Sequence, residues 1–95
     1  MSKLESWARS FYISPPEKQP TGVMKRRIPF LLNQYDGLKL FSVQWEDTLG
    51  DRWDIPNVYY IWNDDECVLA TTDYYAALRK YDELKSEINN LESVK

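Results

Sequence analysis

RIPFLLNQYDGLKLFSVQWE, Arg27 to Glu46, decides the fold, because Asp36-Gly37 stands between two runs of strand-forming residues and matches a two-residue type I′ hairpin turn. A two-residue loop pairs Tyr35 with Leu38. The same register sets Leu32 opposite Phe41, Phe30 opposite Val43 and Ile28 opposite Trp45, an apolar set on one face. The other face is mixed, with Leu31, Leu38 and Leu40 beside Asn33, Ser42 and Gln44. Pro29 cannot donate to a ladder, which places the first strand at a sheet edge.

Downstream, Asn57 to Thr72 reads NVYYIWNDDECVLATT and predicts a second hairpin, with strands near Val58–Trp62 and Cys67–Thr71. A four-residue connection pairs Trp62 with Cys67, Tyr60 with Leu69 and Val58 with Thr71. Neither face of this ribbon is polar, although Asp64, Asp65 and Glu66 sit at its turn. A half-buried strand alternates apolar with polar, so such a ribbon has either two covers or one exposed aromatic surface.

Helical signals flank the hairpins. Ser2 and Glu5 have capping-box spacing, and Leu4, Trp7, Ala8 and Phe11 follow at helical steps, predicting a helix from about Lys3 to Tyr12 that Pro15-Pro16 ends. Residues 14–25 read as a proline-containing loop. From about Asp73 to Leu91, Tyr74, Ala77, Tyr81, Leu84, Ile88 and Leu91 form one seam, with residues 92–95 as a frayed end. The expected architecture is α+β and a single domain over 1–95. Its four-stranded antiparallel sheet is made of two hairpins, with the short N-terminal helix and the longer C-terminal helix packed on one face.

Composition narrows the function classes. The 95 residues carry four Trp, seven Tyr and three Phe, enough large rings to build a core in so short a chain. No run approaches a membrane span, the N-terminus lacks a signal-peptide pattern, and the single cysteine has no internal partner. A cytoplasmic protein without a membrane role is expected. Histidine is absent, which removes the side chain best suited to proton transfer near neutral pH and the commonest nitrogen ligand for metals. The acids lie in turns without EF-hand spacing, Gly22, Gly37 and Gly50 are isolated, and Cys67 reads as a small apolar strand residue. No catalytic residue, cofactor site or metal site is assigned, and an enzyme relying on carboxylates is the least favoured class.

Net charge is −3, unevenly placed. Residues 1–35 hold six bases against Glu5 and Glu17, a net +4, whereas residues 36–73 hold nine acids against Lys39 and Arg52, a net −7. This asymmetry points to a charged partner or to neutralisation within the fold. With both helices on one sheet face, the other face would expose aromatic residues rimmed by carboxylates, as protein interfaces commonly do. The leading expectation is a small non-enzymatic interaction module, a regulator or inhibitor of another protein. Its surface would comprise Tyr59, Tyr60, Ile61, Trp62, Asp64, Asp65 and Glu66, with the carboxylates able to imitate phosphates. The alternative is nucleic-acid binding through Lys25, Arg26 and Arg27. Self-association as a homodimer is expected to use Leu84, Ile88 and Leu91.

Overall fold

The computed structural model describes residues 2–18, 22, 24–45 and 57–93. Helix α1 spans Lys3–Ile13, short strands β1 and β2 span Glu17–Lys18 and Met24–Lys25, and β3 and β4 span Arg27–Tyr35 and Leu38–Trp45. Strands β5 (Val58–Asn63) and β6 (Glu66–Thr71) lead into helix α2, Tyr74–Ser93. Strands β3, β4, β5 and β6 form an antiparallel sheet in that spatial order, so β3 is an edge, as Pro29 suggests. The connection between β4 and β5 lies outside the described residues, as do residues 94 and 95 of the expected frayed end.

Local chemistry explains where the helices begin and end. Ser2 caps α1, its side chain accepting from Glu5 N at 3.0 Å, and Ser14 closes the far end by donating its N–H to the Ser10 carbonyl. Asp73 starts α2, its carboxylate accepting from Tyr75 N and Ala76 N at 3.0 and 3.2 Å. The expected proline loop contains a small antiparallel ladder, Glu17 pairing with Lys25 and Lys18 with Met24.

Both hairpins form, but each carries a bulge that shifts its pairing by one residue. Tyr35–Leu38 pairs as expected; Leu32 is then the extra residue, so Leu31 faces Phe41 and Pro29 faces Val43. Phe30 lies beside Ser42, not Val43, and Ile28 beside Gln44, not Trp45. In the second hairpin Trp62–Cys67 holds, Val68 is extra, and Ile61 pairs with Leu69, Tyr60 with Ala70 and Tyr59 with Thr71. A bulge sets two residues against one and increases local twist, a change that strict alternation cannot anticipate.

The expectation that both helices share one face is overturned. Leu38, Leu40 and Ile61, fully buried, pack with Ala77 and Tyr81 of α2. The alternate residues of the same central strands meet α1: the Trp7 ring lies 5.2 Å from Phe41, 4.9 Å from Tyr60 and 5.4 Å from Trp62. Successive strand residues point to opposite faces, so the helices lie on opposite sides of the sheet. That resolves the ribbon without polar alternation, because each of its faces has a cover.

Candidate functional site

The residues expected to form one aromatic and acidic surface are distributed through the fold. Ile61 and Trp62 are in the core, at 0 % and 5 % exposure. Tyr59 lies on the α2 side with its ring 5.2 Å from Tyr74, whereas Tyr60 lies under Trp7 on the other. The carboxylates also divide. Glu66 is exposed, Asp64 stands in the turn, and Asp65 reaches across to the start of α1, accepting from Lys3 N and Leu4 N at 3.0 and 2.9 Å. Here it complements the partial positive charge of a helix N-terminus.

The hairpin turns lie side by side at one end of the sheet. Asn63 pairs with Glu66, leaving Asp64-Asp65 as a two-residue loop in place of the expected four-residue connection. Asp36 and Asp64 are left-handed at φ 56° and 54°, a conformation Asp tolerates better than most residues. Gly37 is not left-handed, so its turn departs from the expected type I′ geometry. Gly37 serves a different purpose: its carbonyl accepts from Asp64 N at 2.9 Å, and a Cβ at this position would collide with the Asp64 carboxylate. Between these turns and the α1 N-terminus lies a hollow of about 410 Å³, lined in part by Gln34, Asp36, Lys39 and Asp64. Among the described residues, no group of three or more potential ligands could hold a metal ion.

Asp65 gives this end of the fold a pH dependence. Backbone N–H donation from Leu4, then Lys3, holds its carboxyl below the ordinary value of 3.8. A carboxylate with a depressed folded pKa contributes stability above its unfolded pKa, and that contribution is lost as pH falls through the folded value. Acidification below about pH 4 is therefore expected to loosen α1 and alter tryptophan emission, with Asp65→Asn lacking this acid transition. Superimposable pH profiles for the parent and variant would remove Asp65 from the docking of α1.

The alternative sites are partly absorbed by the fold. Lys25 is buried at 3 % exposure, the Arg26 guanidinium donates to the Tyr12 carbonyl, and Arg27 is half-buried, so the three bases do not form one open stripe. Leu84 and Ile88 pack against the core, leaving Leu91 as the exposed member of the expected self-association set. Cys67 is exposed rather than core, although it stands opposite Trp62; its Sγ lies 3.6 Å from the Leu69 carbonyl and local desolvation raises its thiol pKa. That shift disfavours the reactive thiolate.

A different surface emerges on β3. Phe30, Leu31 and Leu32 are 38 %, 49 % and 40 % exposed on an outer strand that pairs, among the described residues, only with β4. Ile28 to Tyr35 contains no charged residue. Natural edge strands are commonly blunted by charge, and here the blunting features are Pro29 and the Leu32 bulge. The unbulged register sets Phe30 opposite Val43 and Leu32 opposite Phe41, whereas the bulge moves Phe30 to Ser42 and leaves Leu32 as the extra residue. No family model, curated protein or solved structure matches the chain. Among the described residues, no helix is long and apolar enough to cross a membrane.

Proposed function

We propose that the chain is a small non-enzymatic protein-interaction module, a cytoplasmic regulator or inhibitor, that engages its partner by strand addition along β3. The observation carrying this reading is the run of three exposed apolar side chains on a strand that is uncharged from Ile28 to Tyr35 and pairs, among the described residues, only with β4. An edge offers main-chain hydrogen bonds for affinity, and its side chains select the partner strand. Asp36, Asp64 and Glu66, exposed at the adjoining end, steer encounter with a basic partner surface and provide whatever phosphate mimicry the interaction uses.

Capture from the native lysate tests this function. The tagged parent is expected to retain a stoichiometric protein, whether its own untagged copy or a different chain, and Leu31→Lys is expected to lose it. Leu31 is half exposed, so the substitution should leave thermal unfolding within about 0.5 kcal/mol of the parent. Recovery of nuclease-sensitive material instead would favour the alternative based on Lys25, Arg26 and Arg27. Protein recovery unaffected by Leu31→Lys would move the site away from β3.

A further inference from the structure

The occupant of the β3 edge can be named from the distribution of charge along the strand. Arg26 and Arg27 stand at its start, Asp36 immediately follows its end, and the intervening residues 28–35 are uncharged. An antiparallel copy of the same strand reverses this order and sets opposite charges together. A parallel copy would instead set like charges together, which is unfavourable across a ladder.

We infer that β3 pairs antiparallel with β3 of a second copy, about a two-fold axis at the Leu31–Leu32 step, joining the sheets of two molecules into one. The inference rests on the proposed role of the β3 edge in protein binding. In this register Leu31 meets Leu32 of the second copy, Phe30 meets Asn33, Ile28 meets Tyr35 and Arg27 meets Asp36.

The bulge brings the flanking pairs of this register onto shared faces. Ile28 and Phe30 lie opposite Gln44 and Ser42, while Asn33 and Tyr35 lie opposite Leu40 and Leu38. Gln44, Ser42, Leu40 and Leu38 alternate along one face of β4, so all four β3 residues share the α2 side of the sheet. Directly opposed residues of an antiparallel pair must share a face, and Phe30–Asn33 and Ile28–Tyr35 meet that condition because Leu32 is the extra residue. Pro29 and Gln34 likewise share the α1 side, opposite Val43 and Lys39. Pro29 withholds one donor per strand, and the two-fold relation gives an isologous contact that closes at two copies.

Sedimentation of the purified chain, combined with amide hydrogen exchange, tests the pairing. The expected result is a concentration-dependent monomer–dimer equilibrium in which β3 amides gain protection as dimer forms. Leu31→Lys, which brings like charges together near the axis, is expected to abolish the dimer. Asp36→Asn keeps a residue tolerant of the left-handed turn but removes the charge pairs; it should raise the dimer dissociation constant by about tenfold and diminish its salt dependence. A parent protein that remains monomeric up to about 1 mM overturns the inference. A dimer that forms without β3 protection, or survives Leu31→Lys unchanged, also overturns it. The hydrogen-exchange measurement uses the parent alone and therefore does not depend on a variant's folding. Failure here leaves the broader protein-binding role to be judged by the separate lysate capture.

Discussion

Leu40→Ala is expected to destabilise the protein by about 3 to 5 kcal/mol, the upper part of the range for deleting a buried leucine side chain. Leu40 has no exposed surface, stands between Asn33 and Ile61 in the sheet and belongs to the cluster that includes Ala77 and Tyr81. Its truncation removes contacts from the sheet and α2 at once, and the hydrogen-bonded ladders on both sides restrict collapse around the vacated volume. A domain of this size has about 5 to 14 kcal/mol of total stability, so the loss is a large fraction of it. Urea denaturation should show an earlier midpoint with an unchanged slope. Leu91→Ala, at an exposed position on α2, is the control and should change stability by no more than about 0.5 kcal/mol. Comparable effects for the two variants would contradict the core assignment.

Trp7→Ala is expected to release α1 from the sheet at a cost of about 3 kcal/mol, near the lower end for a large aromatic truncation because the residue is only half-buried. None of the α1 residues is fully buried, and an isolated helix of 11 residues is marginal in water, so tertiary contacts must hold it. Trp7 supplies them through Phe41, Tyr60 and Trp62, while Asp65 anchors the helix start. Hydrogen exchange should show α1 amides losing protection before those of β4, β5 and α2. Unchanged α1 protection in the variant would show that docking does not depend on the indole. The same geometry makes Tyr59→Ala and Tyr60→Ala both destabilising, each beneath a different helix.

Much of the local architecture is legible in individual residues. Ser2 identifies the start of α1 through a side chain that can satisfy a backbone N–H group, and Asp36-Gly37 places the first turn. Pro29 marks the edge strand because a missing donor is least costly there. The candidate site was less accessible. Tyr59, Tyr60, Ile61 and Trp62 carry the composition of an interface, but the same large apolar side chains also build a core, and composition does not distinguish the two uses.

The sequence by itself determined the two helices, the four strands β3 to β6, their order, the pairs Tyr35–Leu38 and Trp62–Cys67, and the presence of apolar residues on both sides of the central strands, while the β1–β2 ladder lies in the stretch that reads as a loop. Only the tertiary structure decided which cover lies on which face, that Leu32 and Val68 are bulged, and that Asp65 anchors a helix 61 residues earlier in the chain at Leu4. The physical reason is range: capping, turn conformation and alternation act between near neighbours, whereas bulge placement and helix docking depend on twist, packing volume and hydrogen bonds between segments far apart in the chain. The exposed trio Phe30–Leu32 follows from that longer-range accommodation, with the bulged residue on a strand that pairs, among the described residues, only with β4.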